Sequence, residues 1–136
     1  YGPYRRYYQT KQPTLKCTQT NDLFTLSTNT KGNKALTYPI GLITVDELML
    51  SGYADGYINK SAYTYSTNTY WTLSPSNFAT GALAASGFYL SSLGCPSGYS
   101  NVAAGYGVRA VINLSSEAQI SGGIGTANSP YEIKVD

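Results

Sequence analysis

Histidine is absent from the sequence, and charged residues make up only 12 % of it. Without histidine, this chain cannot build a Ser-His-Asp or Cys-His catalytic arrangement or a zinc site with histidine ligands. The one adjacent pair of carboxylates, Asp46 and Glu47, fits the start of a helix. Glycoside hydrolysis requires two carboxyl groups that face each other across a cleft. We therefore expect a protein that is not an enzyme and that uses no cofactor or metal.

Cationic residues are few, and long apolar runs are missing. Nine lysines and arginines against seven aspartates and glutamates give a net charge of +2. The cationic residues form no basic stripe of the kind that binds nucleic acid. No stretch approaches the roughly 18 apolar residues that span a bilayer, so we expect no membrane insertion in this segment. The sequence begins at Tyr1 and carries no signal peptide, which favours a processed or excised segment of a longer protein.

Cysteine is also scarce, with only Cys17 and Cys95. Their wide separation excludes a CxxC redox motif. In an exported protein the two could form a disulfide, which would contribute about 4 kcal/mol by restricting the unfolded chain. Two unpaired thiols, or pairing with a cysteine outside this sequence, are the alternatives.

Tyrosine is abundant. The chain has 14 tyrosines, three phenylalanines and one tryptophan, set among many serines, threonines, asparagines and glycines. This mixture is typical of extracellular binding surfaces, where tyrosine supplies rigid contact area and small polar residues supply hydrogen bonds. It is equally consistent with a β-rich secreted domain, because tyrosine and threonine favour strands.

One short helix has a clear start and stop. Thr44 and Glu47 have the spacing of a capping box, and Ile43 and Leu48 have the spacing of a hydrophobic staple. Asp46 and Glu47 place negative charge in the first turn, where the helix dipole favours it. Gly52 supplies a left-handed stop. The sequence predicts a helix of about two turns that packs Val45, Leu48 and Met49 inward.

The rest of the chain predicts short strands separated by long loops. Residues 1–12 are expected to form an exposed N-terminal arm or an edge segment. The other expected elements are a strand over Tyr70–Pro75, two short strands joined at Ser86–Gly87, a loop around Cys95, a buried strand over Tyr106–Leu114, and a closing hairpin with a glycine-rich turn.

Four segments taken in order, YPIGLITVDELMLSGY, YWTLSP, YGVRAVINL and ISGGIGTANSPYEI, resemble an uncharacterised family of bacterial extracellular modules. These modules occur in surface or prepilin-like proteins of Gram-positive bacteria and are similar to the C-type-lectin-like fold. The resemblance implies an α+β domain over residues 13–136, with a short helix packed on a twisted antiparallel sheet and long irregular loops. The lectin calcium signatures EPN and WND are missing, so calcium-dependent sugar binding is not implied.

Two residues within these segments are expected to hold the fold together. Arg109 interrupts an otherwise apolar strand, and a buried guanidinium must be paired. We expect it to reach Asp46, Glu47 or nearby backbone carbonyls at the helix start, tying strand to helix. The alternative is an arginine that binds a ligand. Trp71 is expected to be a core anchor, with a surface stacking platform as the alternative.

The sequence therefore predicts a bacterial, extracellular or cell-surface module that binds a glycan or a protein. The alternative is a structural subunit of a surface filament, or another homo-oligomer, that assembles by inserting its N-terminal arm into a neighbour. Candidate ligand contacts are aromatic or amide side chains in the expected loops, and each could instead serve only to cover the sheet. They are Tyr53, Tyr57, Asn59, Tyr63, Tyr65, Asn68, Tyr89 and Tyr99.

Overall fold

The computed structural model describes residues 2–25, 30–38, 40–81, 84–112, 114, 116–126 and 128–134. Within these ranges the protein is a small α+β domain. Its elements are α1 (Gly2–Tyr4), which continues as a π-helix over Arg5–Thr10, a 3-10 turn (Thr20–Asp22), β1 (Ile40–Leu42), α2 (Val45–Leu50), β2 (Tyr70–Ala79), β3 (Ala84–Leu90), β4 (Pro96–Asn101), β5 (Ala110–Ile112), β6 (Gln119–Gly122) and β7 (Glu132–Lys134). No helix among the described residues has the length and apolarity needed to cross a bilayer.

The strands of the described part form three antiparallel sheets. β2, β3 and β4 form the largest sheet, with β3 in the middle. β1 pairs with β5, so that Ile40 lies opposite Ile112. β6 and β7 form a separate hairpin, as the sequence predicts.

Helix α2 has the local structure that its sequence predicts. The Thr44 hydroxyl accepts from the Glu47 backbone N–H at 3.2 Å, and the Glu47 carboxylate accepts from the Thr44 backbone N–H at 2.7 Å. This reciprocal capping box satisfies donors that the first helical turn leaves unpaired. Gly52 follows the helix with φ +97°, a conformation that favours glycine.

The core lies between the three-stranded sheet and the two helical elements. Val45 and Leu48 of α2 are fully buried. Val45 packs with Tyr7 and Phe88, and Leu48 packs in a second cluster with Leu90. The sheet is joined to the helix start by polar contacts as well, since the Val45 backbone N–H donates to the Ser74 hydroxyl at 3.0 Å.

The N-terminal segment is not an exposed arm. Residues 2–10 form the helical segment described above, called here the N-terminal helix, and Tyr7 within it has no exposed surface. The Tyr7 hydroxyl donates to the Pro96 carbonyl at 3.0 Å. The expectation was wrong because the clustered tyrosines, which show no clean periodicity, supply a large apolar surface that the sheet covers.

Three predicted boundaries in the sheet region are wrong. β2 continues past Pro75, because register shifts on both sides of Pro75 form bulges that accommodate a residue with no N–H donor. Ser86 and Gly87 lie inside β3 rather than at a turn. The expected loop around Cys95 leads directly into β4.

The strand expected over Tyr106–Leu114 is also shorter and more exposed than predicted. Only Ala110–Ile112 forms β5. Val108 is 74 % exposed and Ile112 is 62 % exposed. β5 pairs only with β1 in the described residues, and such a two-stranded sheet buries little of its surface by itself.

Candidate functional site

Three aromatic side chains lie together on the outer face of the large sheet. Trp71 of β2 and Tyr89 of β3 are register partners. Their chain neighbours, among them Tyr70 and Phe88, are buried on the opposite face against the helical elements. Because side chains alternate along a strand, Trp71 and Tyr89 point away from the core. Tyr106, from the segment that follows β4, completes this group, called here the aromatic platform.

The rings of the aromatic platform are in mutual contact. The centroid of Tyr106 lies 4.8 Å from that of Trp71 and 4.9 Å from that of Tyr89, with interplanar angles of 44° and 45°. The Trp71 and Tyr89 centroids are 6.3 Å apart and the rings are nearly perpendicular. Such tilted and edge-to-face arrangements are the favoured geometries of aromatic pairs. All three side chains are half-buried, so each keeps part of its surface open to solvent.

Glycine beneath the platform fixes the position of the indole. A Cβ atom built on Gly87 would lie 3.3 Å from Trp71 Cζ3, tighter than an ordinary contact. The Trp71 Nε1–H donates to the Ala104 carbonyl at 3.3 Å. The ring is therefore held at one edge by a hydrogen bond and packed closely against the strand.

The platform also presents hydroxyl groups. Ser100 donates to the Tyr106 hydroxyl at 3.1 Å, which leaves the Tyr106 O–H free to donate. The Tyr89 hydroxyl has no hydrogen-bond partner in the described part of the chain and is not enclosed. Ring surface next to free hydroxyls suits a ligand that has both apolar C–H faces and hydroxyl groups.

The sequence predicts this site only in part. It places Tyr89 among the candidate contacts and favours a core position for Trp71, with a surface stacking platform as the alternative, but it does not single out Tyr106. Trp71 belongs to neither buried cluster of the core. Strand alternation along YWTLSP could have placed Trp71 on the outer face. Tyr70, Thr72 and Ser74 are buried on one face of the strand, so Trp71 lies on the other.

The other candidates are dispersed over the molecule. Tyr99 is 64 % exposed and belongs to a second aromatic cluster, with Tyr4 and Tyr8 of the N-terminal helix. The Tyr99 and Tyr4 hydroxyls are 3.2 Å apart. This hydrogen bond raises the pKa of Tyr99 to about 12. Tyr99 and Tyr89 thus belong to different aromatic clusters of the described residues.

Tyr53 and Tyr57 line a cavity of about 320 Å³ between the N-terminal helix and the end of α2. Tyr53 is only 3 % exposed and belongs to the core, so it is not a surface contact as predicted. Its hydroxyl is buried without a partner among the described residues. Tyr57 is 72 % exposed. The Lys11 ammonium pairs with the Asp55 carboxylate at 3.1 Å at the same cavity.

Asn59 holds its loop together. Its side-chain amide donates to the Gly52 carbonyl at 3.1 Å, and its side-chain oxygen accepts from the backbone N–H groups of Ser61 and Ala62. The Tyr65 hydroxyl donates to the Ser92 carbonyl at 3.1 Å. The polar groups of Asn59 and Tyr65 are thus used in hydrogen bonds within the protein, whereas Asn68 is exposed.

Arg109 does not reach the helix start. Its guanidinium donates to the carbonyls of Thr64, Tyr65 and Tyr63 at 2.9, 3.5 and 3.4 Å. The prediction of a contact with Asp46 or Glu47 is wrong, because another arginine occupies Asp46 and Glu47 completes the capping box.

The arginine at the helix start is Arg6. Its Nε and Nη2 donate to the two Asp46 oxygens at 2.5 and 2.7 Å. The Asp46 side chain is only 3 % exposed and also accepts from the Thr14 backbone N–H at 3.0 Å. The hydrogen-bonded carboxylate raises the pKa of Arg6. A fork-shaped donor fits both carboxylate oxygens at once, so the predicted type of contact exists with a different arginine.

Cys17 and Cys95 are both free thiols in the structure. Cys17 is exposed, and its thiol donates to the Gln19 carbonyl at 3.4 Å. Cys95 is half-buried beside the Pro96 carbonyl. The structure does not show the Cys17–Cys95 disulfide, which stays a prediction together with the two alternatives that the sequence leaves open.

No protein-family model, no curated protein and no solved structure matches this chain. The assignment to a C-type-lectin-like family of bacterial surface modules thus stays a prediction from the sequence.

Proposed function

We propose that the protein is a non-enzymatic, extracellular or cell-surface binding module of a bacterium, and that it binds a neutral glycan on the aromatic platform. The observation that carries this proposal is the contact of Trp71, Tyr89 and Tyr106 on the face of the sheet turned away from the core. A tryptophan and a tyrosine at such a position contribute rigid apolar surface at low conformational cost.

The chemistry of the platform favours a sugar as the ligand. A pyranose ring has an apolar C–H face that stacks on aromatic carbon and hydroxyl groups that bond to polar groups at the edge. The free hydroxyl of Tyr89 and the donor left on Tyr106 supply such groups. The composition, rich in tyrosine and poor in charge, agrees with a module that recognises uncharged surfaces.

The C-type-lectin-like fold forms part of the proposal. The short α2 packed on an antiparallel sheet, followed by an irregular segment over residues 53–69, agrees with it at the level of the α+β class. The calcium signatures are missing, so recognition on this domain depends on side-chain stacking and hydrogen bonds.

A filament subunit remains the alternative function. Insertion of the N-terminal arm into a neighbour would require the N-terminal helix to leave its own core, where Tyr7 is fully buried and Arg6 is ion-paired. This cost disfavours assembly by strand addition relative to the binding module.

Trp71 is the only tryptophan of the chain, so its fluorescence reports directly on the platform. We expect titration with a panel of neutral oligosaccharides to give a saturable change in emission for at least one sugar. Tyr106→Ala should weaken binding about 3- to 10-fold, the equivalent of one aromatic contact. Tyr38→Ala is the matched control, because Tyr38 is 74 % exposed on another part of the chain.

Circular dichroism of each variant separates a lost contact from a lost fold. A panel in which no sugar changes Trp71 emission would refute the proposal. Equal weakening by Tyr38→Ala and Tyr106→Ala, with both variants folded, would move binding away from the platform.

A further inference from the structure

A second site lies around Arg109. A pocket of about 300 Å³ is lined by Ile43, Val111, the rings of Tyr63 and Tyr70, and Arg109. The guanidinium carbon lies 5.8 Å from the centroid of each tyrosine ring. The Tyr63 side chain is 85 % exposed, and Tyr70 is buried. The cation is thus set between an outer and an inner aromatic ring at an open pocket.

Arg109 has no carboxylate partner within the described residues. Its hydrogen bonds go to three backbone carbonyls, those of Tyr63, Thr64 and Tyr65. Arg6 and Lys11, by contrast, form ion pairs with Asp46 and Asp55. Carbonyl dipoles position the guanidinium but do not neutralise it, so the pocket keeps a full positive charge.

The edge of the guanidinium formed by Nε and Nη2 is only partly used, since Nη2 donates to the Tyr63 carbonyl through a long bond of 3.4 Å. All three carbonyl bonds come from Nη1 and Nη2, and the Nε–H has no acceptor in the described part of the chain. Arg6 uses its Nε and Nη2 edge to bind both oxygens of Asp46. The same edge of Arg109 has the donor geometry that a carboxylate matches.

We propose that this pocket binds the carboxylate of an acidic sugar. The half-buried, apolar surroundings strengthen the attraction between the guanidinium and an anion relative to bulk water. The exposed Tyr63 ring adds surface for a sugar ring, which favours a sugar acid over an acidic peptide. None of the residues that line this pocket belongs to the aromatic platform of Trp71, Tyr89 and Tyr106, and the proposal does not depend on the proposed function.

The test compares two matched probes on the full chain. D-glucuronate carries the carboxylate, and methyl β-D-glucoside is its neutral counterpart. In ¹⁵N NMR spectra the Arg109 Nε–H signal, assigned by its loss in Arg109→Lys, is expected to shift saturably with glucuronate and not with the glucoside. Raising the salt concentration should weaken binding, because part of the attraction is between charges.

Variants separate the pocket from general effects of charge. Arg109→Lys keeps the positive charge but loses the two-pronged edge, and it is expected to weaken glucuronate binding at least tenfold. Tyr63→Ala leaves the guanidinium in place and should weaken binding about 3-fold. Arg5→Lys is the matched control, since Arg5 is exposed on the N-terminal helix, and it should leave the affinity unchanged.

Three results would overturn the proposal. They are no shift of the Nε–H signal of the wild-type chain, equal shifts with glucuronate and the glucoside, and Arg109→Lys binding glucuronate as tightly as wild type. Tighter binding of the peptide Gly-Glu-Gly than of glucuronate would overturn the choice of a sugar acid. Trp71 emission distinguishes this site from the platform, because glucuronate bound at Arg109 should leave it unchanged.

Discussion

Arg6 and Arg109 are both half-buried arginines, yet the protein accommodates their charges in different ways. Arg6 forms a two-pronged ion pair with Asp46, which is almost completely buried. Arg109 donates to backbone carbonyls and meets no carboxylate in the described residues. One cation is neutralised inside the chain, whereas the other keeps its charge at a pocket.

The difference separates a structural arginine from one with an additional role. Removing one partner of a buried ion pair leaves an uncompensated charge, which is strongly destabilising. Removing Arg109 leaves only carbonyls, and the Thr64 carbonyl still accepts from the Tyr70 hydroxyl at 2.6 Å. Arg6 should therefore matter more to stability, and Arg109 more to ligand binding.

Deleting residues 1–12 should have the largest effect, because it removes both Arg6 and the fully buried Tyr7. Loss of a buried aromatic and of an ion-pair partner together is expected to cost more than about 5 kcal/mol of unfolding free energy. Thermal unfolding by circular dichroism should show a protein that is unfolded or nearly so at room temperature.

Size-exclusion chromatography of the deletion distinguishes the two candidate functions. If the intact chain polymerises and the truncated chain is a folded monomer, the segment serves assembly and the filament alternative is correct. That outcome would also contradict the docking of the N-terminal helix in its own core.

Arg6→Met should destabilise the protein by about 3–5 kcal/mol, because Asp46 stays buried without its cation. Chemical denaturation measures the change in unfolding free energy. Arg5→Met is the matched control, since Arg5 is exposed, and it should change stability by less than about 0.5 kcal/mol. Similar losses for the two variants would remove the distinction between Arg6 and an ordinary surface arginine.

Arg109→Met should cost about 2 kcal/mol, the range for hydrogen bonds made by a charged donor. The loss is smaller than for Arg6 because no buried carboxylate is left unpaired within the described part. The same denaturation measurement, with glucuronate titration alongside, checks both roles. If Arg109→Met lowered the unfolding free energy as much as Arg6→Met does, Arg109 would matter as much to stability as Arg6. The distinction between the two arginines would then be wrong.

The sequence predicts well those features that depend on neighbours in the chain. The capping box of Thr44 and Glu47 and the left-handed Gly52 are contacts within a few residues, and the structure confirms them. The closing hairpin, β6 with β7, is confirmed for the same reason. The irregular segment that follows α2 is also confirmed, since its glycines and asparagines break any regular period.

Contacts between distant parts of the chain could not be read in the same way. The sequence predicts that Arg109 pairs with the helix start, whereas Arg6 occupies that position in the structure. Local pattern carries no information on which distant arginine reaches Asp46. Likewise, Pro75 marks the end of a strand by its own chemistry, and only the bulges formed against β3 let β2 continue. Trp71 was assigned to the core by residue type, although strand alternation places it outside.

The smallest effect on stability is expected for Tyr7. Its buried ring packs the segment that carries Arg6 against the core. Burial raises the pKa of Tyr7 above its ordinary value of 10.0. The raised pKa means that the folded state keeps the phenol proton at a pH where the unfolded state releases it. The stabilisation is fully present below about pH 10 and is lost as the pH rises further.

Tyr7→Phe removes this ionisation together with the hydrogen bond to the Pro96 carbonyl. At pH 8 the variant should be less stable than wild type by about 1 kcal/mol, the typical contribution of one hydrogen bond. Above about pH 10 wild-type stability should fall by up to about 1.4 kcal/mol per pH unit more than that of the variant. Tyr38→Phe, at an exposed site, should follow the wild-type curve. Parallel curves for Tyr7→Phe and wild type from pH 8 to 11.5 would show that Tyr7 ionises as readily in the folded chain as in the unfolded one, and the N-terminal helix would then not be docked through a buried phenol.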